Sequence, residues 1–214
     1  MSERLDMMNN DKKDRLLYLG HASLRITTAD GKVIYVDPYA GDDYGAPADL
    51  ILVTHGHYDH NAVEKVANRN DGVQVITWRE ALAGGKHNSF DLGYVLVESV
   101  EAGYNSYHDV RECVGYILTL KSGVKIYVAG DTYITPQMKE FSERHFDYAF
   151  IPTDGTYTMT AEEASQVADM IQARHSIPYH MNPEKLFDAE IAERFTGMNK
   201  MVVKDGEEIG LEKG

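Results

Sequence analysis

The sequence predicts an α/β fold in which two β-sheets pack face to face with helices outside. Two observations predict it: apolar segments of strand length come in sets separated by turn residues, and helical patterns are interspersed mainly in the second half. A length of 214 residues suits one domain, or two small halves sharing one core, at about 100–200 residues per domain. Residues 1–14 are polar and are expected to be disordered or ordered only by contact with the rest, leaving 15–214 as a single domain.

Leu16 to Leu19, Ser23 to Thr28 and Lys32 to Val36 read as short strands, with Ala29-Asp30-Gly31 as the hairpin turn between the last two. Asp37-Pro38 stops the third and opens a Gly/Asp/Pro-rich loop to Pro47. Leu50-Ile51-Leu52-Val53 has the length and branched content of a buried strand and runs straight into a histidine cluster. After the cluster, Asn61 is expected to cap a helix with Ala62, Val63, Val66 and Ala67 on one face. Val73 to Thr77 is a further strand. Tyr94 to Val100, Val114 to Leu120 and Val124 to Ala129 read as an antiparallel set, with Lys121-Ser122-Gly123 turning the last pair. Helices are expected at Pro136 to Glu143, with proline in the first turn, and at Thr160 to Ala173, which opens on the capping box Thr160-Ala161-Glu162-Glu163. Asp147 to Ile151 and Ser176 to Tyr179 complete the strands, and Lys200 to Leu211 reads as a closing hairpin around Asp205-Gly206.

Acidic residues outnumber basic ones 34 to 21, for a formal charge of −13. That balance argues against nucleic acid as a partner, because phosphate backbones are gripped by clustered Lys and Arg. Mean hydropathy is −0.40, and no run approaches the roughly 20 apolar residues of a membrane span. The opening MSERLDMMNNDKKDR lacks the apolar stretch of a secretory signal. A single cysteine, Cys113, cannot form an internal disulfide. Together these point to a reducing, cytoplasmic setting.

The chemistry lies in Thr54-His55-Gly56-His57-Tyr58-Asp59-His60. Imidazole and carboxylate at these offsets suit a divalent first-row metal, since a sharp loop after a strand turns alternate side chains to one point, with Gly56 permitting the turn. Further ligands for a second metal are available at other predicted strand ends: His108, Asp131 and His180. Taken singly, each also has an ordinary reading, as a loop histidine, a helix N-cap and a satisfied interior histidine.

His55-x-His57-x-Asp59-His60 after an apolar strand, Gly130-Asp131-Thr132 after a later one, and a late His180 resemble the metallo-β-lactamase superfamily from Tyr18 to the C-terminal strands. Leu19-Gly20-His21-Ala22-Ser23, Tyr35-Val36-Asp37-Pro38 and Tyr127-Val128-Ala129-Gly130-Asp131-Thr132 are similar to its small cytosolic branch, which includes ascorbate-6-phosphate lactonase relatives. The resemblance implies a four-layer αββα sandwich with the site along one edge. It implies that His55, His57 and His108 hold one divalent metal and Asp59, His60 and His180 another, with Asp131 between them. Zinc is the first candidate, with manganese or iron as alternatives. His108 matches the family only loosely in spacing, and His87 is its rival. His21 is outside the family's ligand pattern and reads as a substrate-facing group, a neighbour that orients a ligand, or a packing residue. Asp37 reads as orienting a ligand imidazole.

Such a pair of metals lowers the pKa of a bridging water toward neutrality and polarises the bond under attack, so hydrolysis of an ester, lactone or phosphodiester of a small molecule is expected. Asp59 orients the water and carries a proton to the leaving group. The loops Tyr39 to Pro47 and Thr153 to Met159 are expected to border the pocket, with Lys185 and Arg111 the basic residues nearest the rim. Cys113 reads as a small core residue, and His145 and His175 need no function in their helical, charged context. An iron oxidoreductase like the superfamily's persulfide dioxygenases, and a non-catalytic binding protein, are the alternatives. Homo-oligomers are left open.

Overall fold

The computed structural model of the protein describes residues 13–214. All but the last two residues of the expected polar segment 1–14 lie outside the described residues. Asp14 itself is buried: its carboxylate accepts from Ala29 N at 2.7 Å and from the Ser122 hydroxyl, tying the start of the chain to both sheets. No helix among the described residues is long and apolar enough to cross a membrane.

The apolar segments form two mixed sheets of six strands each. In the first, β1 (Arg15–Gly20), β2 (Ser23–Thr27) and β3 (Val33–Val36) are antiparallel neighbours, and β4 (Ala48–Val53) and β5 (Arg69–Thr77) continue parallel to β3. In the second, β6 (Ser89–Asp91), β7 (Val95–Glu101), β8 (Val114–Leu120) and β9 (Lys125–Val128) are antiparallel. β10 (Tyr148–Pro152) and β11 (His175–Tyr179) then run parallel to β9. A last strand, β12 (Glu208–Gly210), pairs with the free edge of β1. β4 is buried along its whole length because it lies inside the sheet between parallel neighbours.

Side chains alternate across each strand, and the two periodicities define two cores. Tyr18, Leu24, Tyr35 and Leu50 of the first sheet meet Tyr116, Leu118, Val128 and Phe150 of the second in one cluster. The opposite face of the second sheet, with Ile117, Tyr127, Ala149 and Ile151, packs under Met138, Phe141, Ala164 and Val167. Each fully buried aromatic or branched side chain there contributes roughly 1.5–3 kcal/mol. The cover over this face comes from a 3₁₀ segment, Pro136–Arg144, and the helix Ala161–Ile171. The latter starts on the expected capping box, with Thr160 Oγ1 accepting from Glu163 N at 3.2 Å and Glu163 Oε2 accepting from Thr160 N at 2.9 Å.

Three expectations need correction. The helix after Asn61 is a single 3₁₀ turn, Val63–Lys65, with no side-chain cap, and only Val66 of the four apolar residues is buried. β5 begins pairing with Ala48 at Arg69, so the chain must already be extended there. The helix at Pro136 is in place but wound as 3₁₀. The C-terminal hairpin is absent: Met201 N donates to Ser176 O at 2.9 Å on the edge of β11, whereas Gly206 N donates to Tyr18 O at 2.8 Å on the edge of β1. Each arm of the expected hairpin finds an open sheet edge instead of the other arm.

Two short helices and β6 were not expected. α1 (Trp78–Ala81) follows β5, the helix Ala161–Ile171 is α2, and α3 (Ala189–Arg194) packs against it. α3 depends on Asp188, whose carboxylate accepts from Glu190 N, Ile191 N, Asn182 Nδ2 and Lys185 Nζ. Asp188→Ala is expected to cost about 1 kcal/mol, read as a lower urea midpoint near neutral pH. The Lys185 ammonium holds the carboxyl down to about 2 from its ordinary 3.8. This contribution is therefore fully present above about pH 4 and fades as pH falls through about 2, where variant and wild type should converge. Equal midpoints near neutrality would show that the cap contributes nothing.

Candidate metal centre

The site residues follow the C-terminal ends of strands: His21 after β1, Asp37 after β3, Thr54 to His60 after β4, His108 after β7, Asp131 after β9, Asp154 after β10 and His180 after β11. The parallel runs β3–β4–β5 and β9–β10–β11 turn several of these ends to one rim. Val114 N donates to Thr54 O at 3.0 Å, joining the two sheets there. Three fully buried tyrosines pin the loops. Tyr18 Oη donates to His21 O at 2.8 Å, Tyr116 Oη donates to Val53 O at 3.0 Å, and Tyr179 Oη accepts from Gly130 N at 2.9 Å. The core aromatics thus fix the positions from which the polar side chains project.

His21, Asp37 and His180 are left-handed, with φ of 53°, 46° and 45°. Strain of this kind costs on the order of 1–3 kcal/mol per residue and persists where the surroundings over-determine it. Gly130 is also left-handed, and a Cβ on it would meet Val114 O at 2.8 Å. Gly56 has a different role from the one its sequence context suggests. It needs no positive φ, but a Cβ there would stand 2.9 Å from the Trp78 indole, so glycine admits the close approach of Trp78 to the histidine loop.

The orientation of the imidazoles follows from their outer hydrogen bonds. A carboxylate only accepts, so His60 Nδ1–H donates to Asp37 Oδ2 at 2.9 Å. The Thr54 hydroxyl donates to that same oxygen at 2.7 Å and must therefore accept from His55 Nδ1–H at 3.0 Å. His108 Nδ1–H donates to Asn105 Oδ1 at 3.2 Å. Each ring is left with a bare Nε2 lone pair directed inward. His180 Nδ1 lies 3.1 Å from Asp154 Oδ2, out of line for a hydrogen bond.

Around Asp131 these lone pairs converge. Its Oδ2 is 3.2 Å from His108 Nε2, 3.4 Å from His180 Nε2 and 3.9 Å from His55 Nε2, and its Oδ1 is 3.5 Å from His60 Nε2. Those four nitrogens and Asp131 Oδ1 are buried without a hydrogen-bond partner. A cluster of orphaned acceptors of this kind is costly unless a cation satisfies it, and nitrogen with carboxylate oxygen fits a divalent transition metal. Three overlapping sets of donors stand within reach of a common ion: His55, His57 and His108; His55, His60 and Asp131; and His21, Asp59, His60 and His180.

Charge is distributed to match. Burial, with His60 adding to it, pushes His55 well below the ordinary histidine value, and burial lowers His57 and His21 as well. Burial opposes charge on His60 too, but Asp131 and Asp37 overcome it and raise that imidazole well above its usual value. His180 is raised against burial by Asp131 and Asp154. Against burial of their own, Asp131 is held well below the carboxylate range by His180 and His60, and Asp59 is held low by its bond from His21. Both carboxylates are thus held ionised, a negative charge that suits a cation at the point where the rings converge.

The structure brings His55, His57, Asp59, His60, His108, Asp131 and His180 together, with His21 beside them. His87 is exposed and falls in none of the donor sets, whereas His108 is buried among them. Asp131 caps no helix, since the next helical segment starts at Pro136 with Thr135 as its cap. His175 opens β11 and stacks on Tyr148, in a strand where a helical context was expected. Lys185 is paired with Asp188 and Arg111 with Asp109.

A cavity of about 340 Å³ opens over Asp59, Asp131 and His180 and is framed by Tyr58, Tyr107 and Tyr157. Beside it a cleft of about 600 Å³ shares His57 and Tyr107 and is walled by Trp78, Arg79 and Cys113. Tyr157 comes from the expected border segment 153–159, while neither cavity is lined by the loop from Tyr39 to Pro47. Cys113 bridges to His55 at the rim, and burial pushes its thiol up to about 12, which disarms it as a nucleophile. Sequence reasoning missed Asp154, Trp78 and Arg79. Asp154 lies within the segment 153–159 expected to border the pocket, but nothing local marked it as the neighbour of His180. The capping pair Thr77 and Glu80 was the signal for the short helix carrying the other two.

Residues 15–180 match the family model described as the beta-lactamase superfamily domain, which makes this chain a member of that superfamily. A UPF0173 metal-dependent hydrolase of Rubrobacter xylanophilus is 31% identical, with the match covering 92% of this chain and 96% of the relative. The chain belongs with these UPF0173 metal-dependent hydrolases. A solved structure from Parabacteroides distasonis, described as a metal-dependent hydrolase, superposes with a TM-score of 0.72 at 29% identity over 89% of this chain and 92% of that one. A Thermotoga maritima protein of the metallo-beta-lactamase superfamily gives 0.56 at 26% identity over 78% of this chain and 75% of that one. The two-sheet α/β fold is thus the metallo-β-lactamase fold that the motifs implied.

Proposed function

We propose that the protein hydrolyses an ester, lactone or phosphodiester bond of a small molecule at a centre of two divalent transition metals. His55, His57 and His108 hold one metal, Asp59, His60 and His180 the other, and Asp131 stands between them. The observation that carries this reading is the convergence of four orphaned, buried Nε2 atoms on one carboxylate, with three of the rings oriented from behind by hydrogen bonds. Held by these residues, two such cations would supply Lewis acidity toward a carbonyl or phosphoryl oxygen and a water that ionises near neutral pH.

The chain's own residues do the rest. His21 Nε2, 3.1 Å from Asp59 Oδ2, fixes one oxygen of that carboxylate, and no hydrogen bond from the described residues reaches Oδ1. Asp59 Oδ1 is therefore placed to take a proton from the attacking water and deliver it to the leaving group. Tyr58, Tyr107 and Tyr157 frame the mouth with aromatic surface. The Arg79 guanidinium lies 4.1 Å over the Trp78 ring, and Arg111 in the same cleft is paired with Asp109, which leaves Arg79 as the cation for an anionic group on the far end of the substrate.

The test is metal analysis of protein purified without chelator, followed by lactone, ester, thioester and phosphodiester substrates with and without a carboxylate tail. Two divalent ions per chain are expected, with turnover that rises through one apparent pKa of about 7 and then levels off. Protein without metal would overturn the reading, and so would turnover that consumes oxygen.

A further inference from the structure

His21 is held more firmly than a substrate-facing side chain requires. Its left-handed backbone is fixed on both sides: its N–H donates to Leu186 O at 2.7 Å, and its carbonyl accepts from His180 N and from Tyr18 Oη, each at 2.8 Å. Its ring is buried, with its centroid 4.0 Å from that of His180 and tilted by 44°. The Nε2 atom is 3.1 Å from Asp59 Oδ2. One donor atom each from His21, Asp59, His60 and His180 lies within 4.8 Å of every other. A residue that merely steadied Asp59 would need to reach Asp59; it would not also need to converge with His60 and His180.

We propose that His21 is a fourth side-chain ligand of the second metal position, its Nε2 exchanging the hydrogen bond to Asp59 Oδ2 for an ion that both residues hold. The proposal rests on the two-metal reading of the cluster. Two donors at about 2.1 Å from one ion lie about 3.0 Å apart at right angles and about 3.4 Å apart at the tetrahedral angle. The separation of His21 from Asp59 is of the first kind. Four side-chain donors with room for water make a shell of more than four, which suits Mn²⁺ or Fe²⁺ better than four-coordinate Zn²⁺. The first position, with His55, His57 and His108, has three side-chain donors and room for one further group, the count of an open four-coordinate zinc site. The two positions are therefore unequal, and His21 makes them so.

The test is a Co²⁺ titration of chelator-treated protein followed by visible absorption, which is intense for four-coordinate Co²⁺ and weak for higher coordination. Wild type should take up one ion with an intense band and a second with a weak one. His21→Asn tolerates the left-handed backbone but is too short to reach the ion. His21→Gln keeps an amide donor for Asp59, and carries the comparison if His21→Asn does not fold. Both variants should bind the second ion at least about 10-fold more weakly, with its band changed and the first ion untouched. A second-ion band that keeps its shape, or full recovery in His21→Gln, would show that His21 acts only through its hydrogen bond to Asp59 and would overturn the proposal. Wild-type protein that binds no divalent ion would overturn the two-metal reading with it, whereas two ions with insensitive bands would remove His21 alone.

Discussion

Asp131→Asn is expected to reduce the metal content from two ions per chain to one or none and to cut turnover at least about 100-fold. Asp131 is the only carboxylate within 4.0 Å of ring nitrogens from four histidines among the described residues: His55, His60, His108 and His180. Asparagine preserves its volume and its main-chain contact, where Gly103 N donates to Asp131 O at 3.2 Å. What asparagine removes is the negative charge and one of the two acceptor oxygens, so the two ligand sets lose the charged donor that stands between them. The metal-free protein should suffer too. Asp131 is the largest of the influences that raise His60 and His180 against burial, and both buried rings would lose that partner. Elemental analysis of folded variant and wild type prepared side by side decides the matter. Two ions per chain in the variant would show that Asp131 serves the fold and leaves the metals alone.

Most of the donor cluster of the candidate site was legible because its densest part is contiguous. Four donors fall within His55 to His60, directly after a strand whose apolar run marks it as buried, and His108, Asp131 and His180 recur at strand ends. What could not be read was what long-range pairing decides. Asp154 reaches His180 because β10 and β11 pair with Pro152 beside Tyr179, and nothing local distinguishes it from an acid shaping its own turn with Thr156 and Tyr157. The two arms of the C-terminal segment, Lys200 to Leu211, carried hairpin chemistry. Their partners are the edges of β11 and β1, which exist only once both sheets have formed. Gly56 illustrates the same limit at one residue. A glycine in a histidine loop suggests an unusual backbone angle, but its contact with Trp78 depends on a helix 22 residues further along.

Asp59→Asn should leave the fold largely intact and lower kcat per metal-loaded chain by about 10²–10⁴-fold. The carboxylate is partly exposed at the floor of the cavity, and its Oδ2 is engaged by His21 Nε2. Asparagine can retain one contact to His21 but offers no oxygen that carries a proton, so the transfer from water to leaving group loses its carrier. The hydrogen bond from His21 and the nearby His60 keep this carboxyl low in spite of burial, which holds it ionised as a proton acceptor throughout the neutral range. An Asp59 that only packed would give a different pattern, with a lower thermal midpoint and an unchanged rate per folded molecule. The measurement is therefore kcat on whichever substrate class is turned over, normalised to metal-loaded folded protein, beside the thermal midpoint of the same sample. A rate within a few-fold of wild type at equal metal loading would remove Asp59 from the proton path and leave that task to another group at the cavity floor.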